Sequence, residues 1–383
     1  MTGPETEKES EMRNTRTGWA AAAGLLLAVL AAGPAYAGQD FLSGKVRYLD
    51  QGGQSLKTKM ETASRDFRSG FDGDLFFTGY VFLSRHSIRM GERHERSATA
   101  YKVKVSSDRI RVRRENWRKS GTSFHTEDDE PGPAGLLLLH RVDGKHSKLI
   151  DAHLLDLDDT YTFEDRPVFW MGEAKNPESL SLLTGAFESG GQKLQDRLLF
   201  VIGSHVDPEA GEFLRRAALG DYPHKTRKSA IFWIGNLKDD RSLGYLKEIY
   251  GKVRDDKLQE QVVFALHICD DEGAVPEMIR IARSDAGRKV RKSAVFWLGQ
   301  KASEESARFL KGVVDSGDDD DIKDAAVFAI SQLPKDRSVP MLIDIAKSNK
   351  SASVRKKAIF WLGQTGTEEA LRFFEDILLT KKR

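Results

Sequence analysis

The chain has 383 residues, of which 39% are hydrophobic and 31% charged, enough apolar material for the packed cores of two domains. Its formal net charge is only +2, from 60 basic and 58 acidic residues, so we expect no overall attraction to nucleic acid. Cys269 is the single cysteine, which excludes an intramolecular disulfide and zinc sites built from several thiolates.

The first 37 residues have the pattern of an export signal. A short basic segment at 12–16 precedes an apolar stretch at 19–32, and Pro34 then precedes the small-x-small sequence Ala35-Tyr36-Ala37. The apolar stretch is shorter than the ~20 residues that span a bilayer. We expect cleavage after Ala37, no membrane span in the mature chain, and a periplasmic or secreted location. An uncleaved N-terminal anchor is the alternative.

Residues 38–160 predict a small antiparallel β domain of five or six strands. Segments rich in aromatic and branched residues, or alternating apolar with basic residues, are expected to be strands. They are residues 75–84, 101–105, 110–113, 136–142 and 149–157. Asp143-Gly144 predicts a tight turn between the last two. Residues 126–135 predict an exposed acidic loop, and residues 44–73 a poorly patterned, partly ordered lead-in.

The strongest signal in the sequence is a phenylalanine that recurs every 32 residues. It stands at Phe169, Phe200, Phe232, Phe264, Phe296, Phe328 and Phe360, with a spacing of 31 residues once and 32 in every other case. Each unit contains two segments with helical spacing of apolar residues, such as 303–316 and 322–333. Two antiparallel helices per unit predict an α-solenoid of about seven units over residues 161–383, so that the whole chain is mainly α with an N-terminal β segment.

Two segments of the repeat carry a resemblance to a known family. Val290-Arg291-Lys292-Ser293-Ala294 and residues 354–358 each run into the sequence Phe-Trp-Leu-Gly. They resemble the second helix of HEAT repeats, of the short type grouped with phycobiliprotein-lyase HEAT-like repeats. The resemblance implies a helical-hairpin repeat fold from about Tyr161 to Arg383, and it leaves the function open because such repeats serve many scaffolds. A signal, a β-rich segment and these repeats, in this order, also resemble exported bacterial HEAT-repeat proteins.

The units alternate in the residue that follows the phenylalanine. A tryptophan stands there in every second unit, at Trp170, Trp233, Trp297 and Trp361. Smaller residues take the same place in the other units, at Val201, Ala265 and Ala329. We interpret the tryptophans as core residues that alternate with small ones so that neighbouring layers interdigitate.

Two sets of residues are candidates for a partner-binding surface. The phenylalanines fall outside the apolar stripe of their helices, so we expect a ladder that either stacks internally or forms an exposed ridge. Its candidate binding residues are Phe232, Phe264, Phe296, Phe328 and Phe360. Basic pairs precede the tryptophan units at Arg227-Lys228, Arg291-Lys292 and Arg355-Lys356. The arginines either brace aspartates of adjacent turns or, with the lysines, offer a basic track to an acidic partner.

The sequence shows no convincing catalytic constellation, since HExxH, a nucleophile elbow and a phosphate-binding loop are missing. His140, His146 and His153 surround the predicted hairpin and are a weak metal-site candidate beside their interpretation as ordinary strand and turn histidines. HEAT-repeat hydroxylases that bind iron do so through His-Glu dipeptides in their repeats. The only such dipeptide here, His94-Glu95, lies in the β segment. We therefore predict no enzyme, no cofactor and no resident metal.

The sequence favours a non-catalytic exported scaffold that binds a protein or peptide on the inner face of the solenoid. Two other functions remain open. One is an envelope sensor that binds a ligand through the β domain. The other, with the least support, is a metal-dependent enzyme resembling a hydroxylase or a lyase.

Overall fold

The computed structural model describes residues 41–50, 53–86, 89–90, 100–114, 124–125, 131–284, 286–316 and 319–380. The predicted export signal, His94-Glu95 and the first half of the predicted acidic loop lie outside these residues. The described part is mostly helical, with a strand-rich region at its N-terminal end.

Nine strands occur in the described residues. They are β1 (Leu42–Tyr48), β2 (Leu75–Ser84), β3 (Arg89–Met90), β4 (Ala100–Ser106), β5 (Arg109–Arg114), β6 (Phe124–His125), β7 (Gly132–Asp143), β8 (His146–Leu155) and β9 (Thr160–Glu173). Seven of them form one sheet in the order β5-β4-β9-β2-β7-β8, with β1 also paired to β9, while β3 pairs with β6. The predicted hairpins β4–β5 and β7–β8 are confirmed.

The prediction of a small antiparallel domain is wrong in its size and holds for only part of the strand pairing. Strand β9 pairs in parallel with β1, β2 and β4, because its first half lies beside β4 and its second half beside β2. The sheet curls until β8 returns to β5, where the backbone N–H of Ile110 donates to Asp151 Oδ2 at 2.8 Å. The result is a sizeable, barrel-like sheet.

A helix, α1 (Leu56–Gly70), occupies the segment for which the sequence predicted a partly ordered lead-in. Ser55 caps it, since its side chain accepts a hydrogen bond from the backbone N–H of Thr58 at 3.2 Å. Its buried residues include Ala63 and Phe67, and Lys59 Nζ donates to the Met171 carbonyl of β9 at 2.7 Å. The helix therefore packs on the outer face of the sheet.

Side chains fill the interior of the barrel. Alternate residues of β2 and β9, among them Phe77, Phe163 and Trp170, point into one buried cluster. Gly79 makes room for the indole of Trp170, because a Cβ at this glycine would lie 2.6 Å from the ring. The intervening residues, such as Phe169, pack on the other face against the helices.

Thirteen further helices follow the barrel within the described residues. They are α2 (Asn176–Ser189), α3 (Gln192–Gly203), α4 (Pro208–Leu219), α5 (His224–Gly235), α6 (Ser242–Lys252), α7 (Asp256–Ile268), α8 (Ala274–Arg283), α9 (Arg288–Lys301), α10 (Glu304–Asp315), α11 (Asp320–Ser331), α12 (Lys335–Ser348), α13 (Ala352–Thr365) and α14 (Glu368–Thr380). They form six hairpins, α2–α3 to α12–α13, followed by α14. None of the described helices has both the length and the apolar character needed to cross a membrane.

The second helices of the hairpins form a continuous row, in which each of α3, α5, α7, α9 and α11 contacts the next. We call this the second row. The first of the seven recurring phenylalanines is not part of it, since Phe169 lies in strand β9 and the helices begin only at Asn176. The helical region predicted from residue 161 is therefore shorter at its N-terminal end.

Hydrogen bonds join the barrel to the first helices. The Asn176 side chain accepts from the Leu83 backbone N–H at 3.1 Å and donates to the carbonyls of Leu83 and Val206 at 2.9 and 3.1 Å. Arg85, at the end of β2, donates to the Leu237 carbonyl at 3.1 Å. The barrel thus covers the apolar end of the helical stack.

A buried polar chain crosses the same junction. His205 Nδ1 lies 2.8 Å from the Val201 carbonyl, so it carries the proton, and Nε2 accepts from Ser179 at 2.7 Å. Tyr80 of β2 lies 2.8 Å from the same serine hydroxyl. Ser179 and His205 are fully buried, so this serine–histidine pair holds elements together and is closed to substrates.

Candidate functional site

The phenylalanines and tryptophans of the second row form a continuous line of ring contacts, which we call the aromatic ladder. Phe232 and Phe264 stack with their centroids 6.1 Å apart, and Trp297 bridges Phe264 and Phe296 at 4.8 Å from each. The ladder comprises Phe200, Trp233, Phe232, Phe264, Trp297, Phe296, Phe328, Trp361 and Phe360. Each rung therefore contacts the next from α3 to α13.

The ladder is packed on itself and also faces solvent. Its phenylalanines are half-buried as far as Phe328, and Phe360 is 55% exposed. The three tryptophans in the helices pack against the core but are only half-buried, whereas Trp170 in the barrel is fully buried. One helical step places each of these tryptophans beside its phenylalanine at the edge of the core.

Small, buried residues allow the helices of the second row to pack closely on the core side of the aromatic ladder. Ala265 and Ala329 stand where the other units carry tryptophan, and both are fully buried. Each lies against a glycine of the preceding helix, since a Cβ at Gly235 or Gly299 would lie 2.7 Å from the carbonyl oxygen of its alanine. The glycine of the Phe-Trp-X-Gly sequence therefore permits the close approach of successive helices.

The candidate binding arginines brace helix ends. Their donor–acceptor pairs are Arg227–Ala218 (2.8 Å), Arg291–Ala282 (2.9 Å) and Arg355–Asn349 (2.7 Å). The acceptors are backbone carbonyls at the C-terminal end of the first helix in the same hairpin, where no intrahelical donor remains. The arginines thus bind backbone carbonyls, which are acceptors that the sequence analysis did not name.

Glutamines take the same role in the alternate units, which sequence reasoning missed. Gln195 Nε2 donates to the Phe187 carbonyl at 3.1 Å, and Gln259 Nε2 to the Val253 carbonyl at 3.2 Å. These glutamines stand 32 residues before Arg227 and Arg291. This 32-residue correspondence was the sequence signal that could have revealed a structural role for the glutamines and the arginines.

Ion pairs between neighbouring helices neutralise much of the charge along the second row. They include Lys225–Asp196 (2.6 Å), Arg288–Asp321 (3.1 Å) and Lys357–Asp324 (3.1 Å). Exposed pairs of this kind contribute little stability, roughly 0–1 kcal/mol each. Their consequence for binding is larger, because they neutralise cations that flank the predicted basic track.

Three lysines remain as the cations of that track. Lys228, Lys292 and Lys356 stand one helical turn before the phenylalanines of α5, α9 and α13, and therefore on the same helix face. Within the described part of the chain, none of the three has a carboxylate at ion-pair distance. Lys228 lines the same groove as Phe232, and the spacing puts the other two lysines on the same helix face as their phenylalanines.

An open groove of about 690 Å³ lies between α5 and α7. Its lining residues are His224, Lys225, Lys228, Ser229, Phe232, Asp255, Lys257, Gln261 and Phe264. The two stacked phenylalanines supply apolar surface, and Lys228 and Lys257 supply positive charge, while His224 Nε2 lies 3.6 Å from Asp255. The groove suits a ligand that combines a large apolar group with an acidic group.

The histidines named as a weak metal-site candidate have separate surroundings. His140 lies 2.8 Å from Thr78 Oγ1, and burial lowers its pKa to about 4. His146 is exposed at the β7–β8 turn, and His153 is half-buried in β8. Among the described residues, no group of three or more His, Cys, Asp or Glu side chains is placed to hold a metal ion.

Cys269 is buried, which raises its thiol pKa to about 11.

These features define a class of protein, in which a barrel-like sheet is joined to stacked helical hairpins with a partly exposed aromatic row. Comparison with known families supports the helical part, since residues 318–383, from α11 to the C-terminal end, match the family of HEAT repeats. No curated protein matches the chain.

Solved structures match about half of the chain. Human deoxyhypusine hydroxylase in complex with glycerol is 19% identical over 52% of this chain and 78% of its own, with a TM-score of 0.24. The complex of CpcE and CpcF of phycocyanin lyase from Nostoc sp. PCC7120 is 17% identical over 51% and 79%, with a TM-score of 0.32. A computationally designed self-assembling cyclic homooligomer is 14% identical over 54% and 72%, with a TM-score of 0.12.

The prediction that the chain is not an enzyme is contradicted by these matches. A hydroxylase and a phycocyanin lyase are among the similar structures, so the helical-repeat likeness gives no ground for excluding catalysis. At the observed identities and TM-scores, neither structure assigns a reaction or a catalytic residue to this chain.

Proposed function

We propose that this chain binds a polypeptide partner on its second row, with the hairpins stacked as an α-solenoid and the second row on its inner face. The observation that supports the proposal most directly is the groove between α5 and α7. There Lys228 stands beside the stacked rings of Phe232 and Phe264 on an open surface. The match to HEAT repeats is consistent with a protein partner.

The chemistry of the groove favours a polypeptide over a nucleic acid. A polyanion needs a continuous basic surface, whereas here carboxylates such as Asp196 and Asp324 alternate with the cations along the row. Half-buried aromatic rings gain most from covering by another large apolar side chain. A segment with acidic and large apolar residues fits both features.

Selection of random peptides on the full chain tests this proposal. Peptides that bind the wild-type protein should share an acidic residue close to a large apolar residue. They should lose binding to a variant that carries Lys228→Glu and Lys292→Glu, because two ammonium groups of the track are reversed.

The matched control is Lys247→Glu, which reverses an exposed lysine on α6, outside the second row. Thermal melting should show all variants folded. Peptides that bind the double variant as well as the control would place the site elsewhere and overturn the proposal.

We also propose that the protein is exported, with removal of residues 1–37. The proposal rests on the basic, apolar and small-x-small pattern of that segment alone. N-terminal sequencing of protein from the cell envelope or medium should begin at Gly38. A chain that retains its first residues in the cytoplasm would contradict it.

A further inference from the structure

Most residues that line the groove between α5 and α7 recur at equivalent positions of α9 and α11, 64 residues further along the chain, and we call the surface that they form the second groove. The corresponding pairs are Lys228 and Lys292, Ser229 and Ser293, Phe232 and Phe296, Asp255 and Asp319, and Phe264 and Phe328. The geometry repeats with the residues. The phenylalanines stack at 6.1 Å in the first groove and 6.0 Å in the second. The basic residue that begins α5 or α9 lies 3.6 Å from its aspartate in both.

The two copies differ at three positions. His224, Lys257 and Gln261 of the first groove correspond to Arg288, Asp321 and Ala325 of the second. Asp321 is paired with Arg288 at 3.1 Å, so its carboxylate is already matched by a cation. The second groove therefore keeps the stacked rings and two lysines, Lys289 and Lys292, and it has one lysine fewer and one carboxylate more than the first.

The third unit of this series is incomplete within the described residues. Lys356 and Phe360 of α13 correspond to Lys292 and Phe296, yet the next helix, α14, contacts α12 and α13 rather than extending the second row. Phe360 accordingly has no stacked phenylalanine on its far side and is 55% exposed. The described second row thus has two complete grooves and one half groove.

The separation of the two grooves sets the length of a partner that fills both. Helices pack roughly 8–10 Å apart, and α9 follows α5 after two steps along the row. Equivalent atoms of the grooves are therefore on the order of 20 Å apart. An extended polypeptide rises about 3.3 Å per residue, so about six residues bridge the grooves.

We propose that the two grooves act together on one extended polypeptide that carries two copies of an acidic-and-apolar motif about six residues apart. This inference rests on the proposed function and adds that the partner is bivalent. Once one motif is bound, the second groove sees the other motif at the effective concentration set by the connecting residues. Two weak sites then hold one partner tightly.

Synthetic peptides of one design test the inference by fluorescence anisotropy, up to millimolar concentration. One probe carries a single Asp-Gly-Phe motif, and two probes carry two motifs joined by Gly-Ser linkers. Equivalent atoms of the two motifs are separated by the linker plus the three residues of one motif. A linker of about eight residues therefore reaches the second groove, whereas a short linker of about one residue gives a repeat that spans at most about 14 Å and falls short. The long-linker peptide should bind on the order of a hundred-fold or more tighter than the single motif. The short-linker peptide should bind no more than a few-fold tighter.

Single-residue variants show which grooves produce the higher affinity of the long-linker peptide. Lys292→Glu should remove the advantage of the long linker and leave the single motif bound at the first groove. Lys228→Glu should remove the same advantage while the single motif remains at the second groove. Lys247→Glu is the matched control, because it reverses an exposed lysine on α6, outside the second row, and it should leave the long-linker affinity unchanged.

The outcomes separate this inference from the proposed function. If the single motif binds and loses affinity in the Lys228→Glu and Lys292→Glu double variant, while the long linker gives no gain, the bivalent partner is excluded and the proposed function stands. If neither probe binds, the acidic-and-apolar chemistry of both proposals is wrong. If sedimentation shows a dimer that Lys228→Glu dissociates, a second copy of the chain occupies the ladder and the peptide proposal is overturned.

Discussion

The sequence Phe-Trp-X-Gly occurs in both regions of the molecule and adopts a different structure in each. In the barrel, Phe169 and Trp170 lie in strand β9, and both are fully buried. In the second row, Phe296 and Trp297 lie in helix α9, and both are half-buried. The same neighbouring residues thus serve a closed core in one region and a partly open surface in the other.

The difference follows from the direction in which successive side chains point. In a strand they alternate, so Phe169 faces the helices and Trp170 the barrel interior, and each enters a separate buried cluster. In a helix they diverge by about 100°, so Phe296 and Trp297 remain side by side at the edge of the core. Four residues therefore do not determine the secondary structure, which here depends on the pairing of β9 with three other strands.

Replacing the tryptophan in each region should give the largest contrast. Trp170→Ala leaves a cavity in the closed barrel and should cost roughly 3–5 kcal/mol of unfolding free energy. Trp297→Ala removes a half-buried ring whose site is open to water, and should cost about half as much. Urea unfolding of the two variants measures the difference. Equal losses would mean that the ladder is as closed as the barrel core.

Lowering the pH should reduce the stability of the barrel and of its junction with the helices, because both contain buried histidines. Burial lowers the pKa of His140 to about 4 and that of His205 to about 3, from an ordinary value of 6.5. The unfolded chain therefore binds more protons in this range. The stability contributed by the neutral histidines is complete above pH 6.5 and falls as the pH drops towards 4. At pH 5 the loss is on the order of 2 kcal/mol for each.

Urea unfolding from pH 7 to pH 5 measures this dependence. A His205→Gln variant keeps a hydrogen-bonding side chain next to Ser179 but cannot be protonated. It should be less stable at pH 7 and show a weaker loss of stability on acidification. An unchanged pH dependence in the variant would show that His205 does not titrate as its burial implies.

Two glycines at equivalent positions of the second row, Gly299 and Gly363, differ in how closely the next helix approaches them. Gly299→Ala places a Cβ 2.7 Å from the Ala329 carbonyl oxygen, so α9 and α11 must move apart, at a cost of roughly 1–3 kcal/mol. Gly363 occupies the equivalent position of α13, where a Cβ would meet nothing within 4 Å. Gly363→Ala should therefore stabilise the chain by up to about 1 kcal/mol, because alanine is the better helix former.

Thermal melting of the two glycine variants provides the test. The expected result is a lower melting temperature for Gly299→Ala and an equal or higher one for Gly363→Ala. A loss of similar size in both would show that the glycine serves the helix itself rather than the contact between helices.

The sequence predicted the hairpins of the sheet but not its overall order. The β7–β8 pair is local and has a turn signal in Asp143-Gly144, so a short window of sequence contains it. The parallel partners of β9 are remote, as with Leu42 beside Tyr161, and one strand's pattern does not record which strand lies next to it. Helix α1 was missed because its few buried residues are separated by charged ones.

The position of the candidate site was predictable from the sequence, whereas the roles of its individual residues were less so. The helical wheel placed Phe296 outside the core stripe, and the structure puts it in the aromatic ladder. The bracing role of Arg291 was not predictable, because its acceptor is the Ala282 backbone carbonyl, which no side-chain pattern reveals. Lys228 and Lys292 differ from Lys225, Arg288 and Lys357 in that only the latter form ion pairs with neighbouring helices, and these pairs require the folded row.

The smallest expected effect separates the two members of one basic pair. Arg291→Ala removes the donor to the Ala282 carbonyl at the end of α8 and should cost about 1–2 kcal/mol of unfolding free energy. Lys292→Ala changes a side chain with no ion-pair partner among the described residues, so stability should stay within about 0.5 kcal/mol. Peptide binding should change in the opposite sense, with Lys292→Ala weakening it and Arg291→Ala, at a temperature where it is folded, leaving it intact. Loss of binding with Arg291→Ala alone would mean that the guanidinium, despite its backbone contact, also belongs to the partner surface.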